Sequence, residues 1–167
     1  MSDNPAVEPA TPTPPPAPVR KRNHKVPRQV LPVREPGERA SDHEEVALGF
    51  GMDVAQTEAL RCLQCRDPKC VDACPIHTDI KSFIQEVAQG NYDGAFEVIE
   101  KTNPFPGICG RVCQHELYCE KSCLLDKKFT SVAIGSLERF VADEAFDKEA
   151  YQRRGKHPRA NLCILTA

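Results

Sequence analysis

No tryptophan occurs in the 167 residues, aromatic side chains make up 6% of them, and 15 residues are proline. A chain so poor in large apolar rings has a small buried core, and bound metal is one way to supply the missing stability. No apolar run in the sequence approaches the roughly 20 residues that span a bilayer, so no transmembrane helix is expected. The stretch from Met1 to Pro5 has neither a basic n-region nor an apolar h-region, which argues against a secretory signal. Its acidity also argues against an Arg-rich transit peptide, and the expected location is cytoplasmic, where thiols stay reduced. Charge of one sign is lacking too. With 22 basic and 24 acidic residues the net charge is -2, so no global field recommends nucleic acid or a membrane surface. No Ser/His/Asp or Cys/His catalytic set can be read from the scattered His43, His77, His115 and His157. Gly49-Phe50-Gly51 has neither the preceding strand nor the third glycine that a dinucleotide loop needs.

Cysteine is what the chain has in abundance. Eight of its nine cysteines fall in two groups, Cys62, Cys65, Cys70 and Cys74, then Cys109, Cys113, Cys119 and Cys123. Thiolates are soft anionic ligands, and four converging on one point suit iron-sulfur clusters or zinc. The first group reads C-x2-C-x4-C-x3-C-P, close to the ferredoxin-type run whose fourth cysteine ligates the other cluster of a pair. Zinc is the second reading, because structural zinc sites present C-x2-4-C pairs across a loop. It would make the chain a zinc-stabilised module binding a protein or nucleic acid through the basic knot Arg20 to Lys25. A secreted disulfide scaffold is the third.

The rest of the chain reads as mainly α-helical. Residues 2 to 19 carry seven prolines among Ala and Thr, a composition that cannot form a core and favours extended polyproline conformations. Residues 27 to 38 read as an extended arm whose Val30, Leu31 and Val33 pack against the body. Ser41, with Glu44 three residues on, offers a capping pattern before a short helix or turn. Residues 53 to 61 read as a helix delivering Cys62. Ile80, Phe83, Ile84, Val87 and Ala88 form one apolar face, capped by Thr78 or Asp79 and stopped by Gly90. Tyr92, Ala95, Phe96 and Ile99 repeat the pattern, so a helical hairpin is expected between the cysteine groups. Residues 103 to 107 break the helix, and Cys109 and Cys113 share a face if the next turn is helical. Ile134, Leu137 and Val141, beside Phe140, mark a late helix. Cys163 stands alone in a short basic tail. His115, between cluster cysteines, is placed to tune a potential through a hydrogen bond to sulfur.

Several motifs occur in a telling order: Glu44 to Gly49, Arg61-Cys-Leu-Gln-Cys65, Cys74-Pro-Ile76, Asn103-Pro-Phe-Pro106, Cys109-Gly-Arg-Val-Cys113, Cys119-Glu-Lys-Ser-Cys123 and Val132 to Phe140. They resemble the N-terminal iron-sulfur domain of the glutamate synthase small (beta) subunit family, which is shared with dihydropyrimidine dehydrogenase. The resemblance covers roughly residues 23 to 146. It implies an α-helical ferredoxin domain over residues 27–146, with a disordered Pro-rich and basic tail at 1–26 and a short basic tail at 147–167. It further implies two [4Fe-4S] clusters, the first held by Cys62, Cys65, Cys70 and Cys123. The second would be held by Cys74, Cys113, Cys119 and Glu138, a position occupied by Gln in dihydropyrimidine dehydrogenase. Cys109 is the alternative fourth ligand, which cysteine counting alone would choose. Residues 156–167 offer no phosphate-binding glycine loop, so the family's FAD and NAD(P)H are expected only on a partner or a missing domain. The implied role is a relay of electrons between a flavoprotein and an oxidoreductase resembling the glutamate synthase large subunit, not a complete enzyme.

Overall fold

The computed structural model describes residues 21–146. The proline-rich stretch, the C-terminal basic tail and Cys163 lie outside the described residues. Among those described there are seven α-helices, one 3-10 turn and no strand; the one extended pairing is an isolated antiparallel bridge between Val33 and Ala47. No helix among them is long and apolar enough to cross a membrane.

The central element is α7 (Ile134–Phe146), which buries Ile134, Gly135, Leu137, Glu138, Arg139, Phe140, Val141, Ala142 and Ala145. A helix covered on nearly all sides must lie inside the bundle. The helices α2 (Met52–Ala59), α4 (Ile80–Gln89), α5 (Tyr92–Glu100) and α6 (Pro106–Val112) pack against it. In α4 the buried residues are Ile80, Phe83, Ile84, Val87 and Ala88, the face that the periodicity predicts. The Asp79 carboxylate caps this helix by accepting from the Ser82 amide at 3.1 Å, and Gly90, at φ 77°, closes it in the left-handed region. Asn91 then caps α5 through the Gly94 amide, giving the expected hairpin. Fully buried Phe83 contributes roughly 1.5–3 kcal/mol by burial alone.

The segment before α2 departs from expectation. Pro36 opens a single helical turn, α1 (Pro36–Arg39), because the fixed φ of proline suits a first turn and its missing N–H costs nothing there. Ser41 caps no following helix; its hydroxyl donates backwards to the Glu38 carbonyl at 2.8 Å and closes α1. Of the three apolar arm residues only Leu31 packs on the core, while Val30 and Val33 are exposed. The basic knot reaches the domain: Asn23 N donates to Leu60 O at 3.1 Å, and the Arg22 guanidinium donates to Cys62 O at 3.0 Å.

Candidate metal centres

Helix α2 ends one residue pair before the first cysteines, and its end is fixed from inside. Glu58 and Arg61 form a buried ion pair at 2.6 Å. Glu58 also accepts from Ala133 N and Gln29 N, and Arg61 donates to the carbonyls of Val26, Thr130 and Ser131. The position of Cys62 is thereby tied to the arm and to the approach to α7. The chain then wraps. Gln64 takes a left-handed φ of 53°, and its side-chain amide donates to Lys81 O at 3.0 Å and to Cys62 Sγ at 3.5 Å. The short α3 (Lys69–Asp72) carries Cys70. A turn closed by His77 N donating to Cys74 O, with His77 at φ 50°, directs Cys74 onward.

The second cysteine segment is positioned by close contact of α6 with α7. A Cβ on Gly110 would stand 2.7 Å from Arg139 Cα, a backbone atom that cannot swing aside. Cys109 lies within α6 and Cys113 caps its end. Cys119 is buried, and Cys123 precedes the 3-10 turn Leu124–Lys127.

The structure sorts the cysteines across the two segments. Cys62, Cys65, Cys70 and Cys123 line one small cavity, with Leu63, Pro68 and Leu125 among its other walls. Burial pushes the Cys62 thiol up, with the neighbouring sulfurs of Cys123 and Cys65 adding to the effect. Burial, then the charges of Cys62 and Cys123, push Cys70 up to about 12. Cys74 does not share that environment. Its charge is felt instead by Cys109, Cys113 and Cys119, whose thiols are all raised, by burial first. Glu138 acts on the same three sulfurs. Of the residues named from the sequence, then, Cys62, Cys65, Cys70 and Cys123 come together at one place, and Cys74, Cys109, Cys113, Cys119 and Glu138 at another.

Glu138 is 8% exposed. Its Oε1 accepts from Asn103 Nδ2 at 2.7 Å, and its Oε2 lies 3.2 Å from His115 Nε2. The imidazole of His115 thus faces a carboxylate and not a sulfur, contrary to the expectation; Gly135 leaves the space, since a Cβ there would be 2.3 Å from His115 Nδ1. Burial disfavours the imidazolium, but Glu138 and the nearby carboxylates outweigh it and raise the His115 pKa. Asn103 joins the two candidates for the fourth ligand, because its Oδ1 also accepts from Cys109 Sγ at 3.5 Å. Asn103, Gln64 and the pair Glu58 and Arg61 are the participants that sequence reasoning missed. Asn103 was readable as part of a helix break and of a family motif, neither of which shows its contact with Glu138.

All eight described cysteines are free thiols. Among the described residues no three His, Cys, Asp or Glu side chains converge tightly enough to hold a single ion. A zinc tetrahedron, with Zn–S of about 2.3 Å, would need sulfurs about 3.8 Å apart. A cubane of irons and sulfides is broader and accepts wider thiolate spacing. Two soft-donor groups, one of them lining a cavity, fit such clusters. Burial raises the thiols of Cys62, Cys70, Cys109, Cys113 and Cys119, so a bound metal is what would hold those sulfurs as thiolates.

Known proteins agree with this chemistry. A family profile described as dihydropyrimidine dehydrogenase domain II, 4Fe-4S cluster, matches residues 39–150. The glutamate synthase [NADPH] small chain of Halomonas elongata is 38% identical over 116 residues, covering 69% of this chain and 25% of that protein. The putative oxidoreductase AegA of Escherichia coli is 40% identical over 111 residues, 66% of this chain and 17% of its own length. The PreT subunit of the NAD-dependent dihydropyrimidine dehydrogenase of Salmonella typhimurium is 37% identical over 126 residues, 74% of this chain and 30% of its own. The chain thus spans between about a sixth and a third of the length of these relatives. With cysteines arranged for iron and sulfide and a family match over most of the helical body, the chain belongs to the 4Fe-4S family of dihydropyrimidine dehydrogenase domain II.

Proposed function

We propose that this domain holds two [4Fe-4S] clusters and relays single electrons between a flavin- and NAD(P)H-dependent flavoprotein and a partner oxidoreductase, in a cytoplasmic setting. In this reading Cys62, Cys65, Cys70 and Cys123 hold the first cluster. Cys74, Cys113, Cys119 and Glu138 hold the second, with Cys109 close by. One observation carries the reading: each of the two sulfur groups draws members from both cysteine segments, as a pair of clusters crossing between them requires.

Bound clusters supply reversible one-electron storage at potentials set by ligand type, charge and hydrogen bonds to sulfur. The chain's own residues do the tuning. Asn103 and His115 hold the Glu138 carboxylate towards Cys113 and Cys119 and leave each oxygen a further lone pair. Such outer partners orient a ligand and set its basicity. Gln64 does the corresponding work for Cys62. The names of the relatives, an NADPH-linked small chain and a subunit of an NAD-dependent enzyme, support a nicotinamide-linked flavoprotein as donor or acceptor. A glutamate synthase large subunit-like oxidoreductase is the matching partner.

Anaerobic reconstitution tests this directly. About eight irons per chain and a broad absorbance at about 400 nm are expected. A colourless protein with one or two zinc ions per chain would end the proposal.

A further inference from the structure

Next to the group formed by Cys62, Cys65, Cys70 and Cys123 lies an open surface pocket of about 420 Å³, walled by Lys69, Lys121, Lys127, Cys123, Leu124 and Asp126. It adjoins the cavity that the four cysteines line, sharing Lys69, Cys123 and Leu124 with it, and that cavity adds Lys81. The charges do not cancel. Lys69 is engaged by Asp67 at 2.7 Å and Asp72 at 3.3 Å. Lys81, Lys121 and Lys127 make no side-chain ion pair among the described residues. Asp126, the one acid in the wall, uses Oδ1 to accept from the Ser131 amide. Arg22 adds a further cation at the Cys62 carbonyl. Leu63 and Leu124, 43% and 36% exposed, give the depression an apolar rim.

The other sulfur group has the opposite surroundings. Glu138 and Glu116 act on Cys113, and Glu120 and Glu138 on Cys119; α6 and the loop before it expose Phe105, Ile108 and Val112, with Arg111 beside them already paired with Glu45 and Asp143. The acids beside the second group have cationic partners within the domain, Arg28 for Glu120 and Arg111 for Glu45, whereas Lys81, Lys121 and Lys127 beside the first have none among the described residues. Cationic walls beside a small apolar rim suit a brief encounter with a surface of opposite charge, where orientation and speed matter more than affinity.

We infer that the lysine-lined pocket at the Cys123 edge is the docking surface for an acidic face of a one-electron redox partner. This rests on the iron-sulfur reading above. The transfer is outer-sphere: one electron leaves the reduced centre and reduces the acceptor by one unit, and no bond or proton changes place. Lys81, Lys121 and Lys127 steer the partner so that its redox group faces the thinnest cover over the cysteines.

The test uses the reconstituted full chain, reduced under argon and mixed in a stopped flow with either an acidic flavodoxin or basic cytochrome c. The flavodoxin rate constant is expected to fall about tenfold or more from low salt to 0.3 M salt. The double variant K121E/K127E should lose a comparable factor at low salt, while its rate with cytochrome c rises. The variant R39E, which makes the same kind of charge change on α1, should leave both rates within about twofold of wild type. Equal effects of R39E and K121E/K127E on the flavodoxin rate, in protein that keeps both EPR signals, would overturn the surface. If K121E/K127E does not load its clusters, the neutral pair K121Q/K127Q takes its place, and the same comparison applies with a loss of about threefold. Wild-type protein lacking about eight irons would defeat the underlying reading instead, so the two failures are distinct.

Discussion

The carboxylate of Glu58 and the guanidinium of Arg61 meet at 2.6 Å with 0% and 1% of their side chains exposed, immediately before Cys62. Every polar atom of the pair has work: Glu58 accepts from Gln29 N and Ala133 N, and Arg61 donates to Val26 O, Thr130 O and Ser131 O. Removing one partner leaves a buried charge without its counterion, which costs about 3–5 kcal/mol. Glu58→Leu and Arg61→Met are each expected to lose that much in urea unfolding of the loaded protein. On the proposed assignment the first cluster's EPR signal should disappear before the second, because Cys62 would be the ligand nearest the damage.

Cys74 lies at the end of one continuous run, yet its electrostatic neighbours are Cys109, Cys113 and Cys119. Cys74→Ala is expected to lower the iron content from about eight to about four and to remove the second cluster's signal alone. Cys123→Ala should remove the first alone. A self-contained loop would behave differently, with Cys74→Ala stripping the cluster bound by Cys62, Cys65 and Cys70. Removing both clusters should leave the chain largely unfolded by far-UV CD, because the two proposed centres would tie the segments on either side of the α4–α5 hairpin.

These relationships were unequally readable from the sequence. The α4 face was legible because five apolar residues follow the helical period, and Asp79 and Gly90 punctuate it. Ser41 misled because Pro36 had already opened a turn five residues earlier, and a hydroxyl close behind a helix end serves that end equally well. The sequence does not reveal the Glu58–Arg61 pair, since burial of charge depends on what folds over it, here residues 26–29 and 130–133. The His115 ring could not be assigned either. Its direction depends on the space above Gly135, a contact between residues twenty positions apart.

Gln64 donates to Cys62 Sγ at 3.5 Å, and hydrogen bonds to cluster sulfur favour the reduced, more negative state. Gln64→Leu should therefore lower the first cluster's potential by about 20–60 mV, the equivalent of one net hydrogen bond of roughly 0.5–1.5 kcal/mol for one electron. An EPR-monitored redox titration reads this, and the second cluster's potential should stay put. An unchanged first potential would mean that the Lys81 carbonyl, Gln64's other acceptor, takes all of the amide's effect.

Glu45 bridges Arg111 at 2.8 Å and Arg139 at 3.1 Å, latching the loop before α2 to α6 and α7. The Arg111 hydrogen bond holds its carboxyl below the usual value of 4.5, against a smaller opposing effect of burial. A depressed carboxyl stabilises the folded state above its unfolded pKa and ceases to do so as pH falls through the folded one. The side chain is half exposed, so solvent screening limits the latch to about 0.5–1 kcal/mol. Glu45→Gln should lose that amount in urea melts throughout pH 5.5 to 8, and the difference should close below pH 4.5 and in high salt.

The contact between Gly110 and Arg139 decides whether α6 can bring Cys109 and Cys113 alongside Glu138 on α7. An added Cβ would stand 2.7 Å from Arg139 Cα and 2.8 Å from its N, both backbone atoms of a buried helix, so the helices must part. Overpacking of this kind costs about 1–3 kcal/mol. Gly110→Ala should lower the melting temperature of the loaded protein and remove the second cluster's EPR signal while the first survives. Gly37→Ala, where a Cβ meets nothing within 4 Å, supplies the matched control and should change stability by less than about 0.5 kcal/mol. Should Gly110→Ala keep both signals and its melting temperature, close approach of α6 to α7 would not be what assembles the second site.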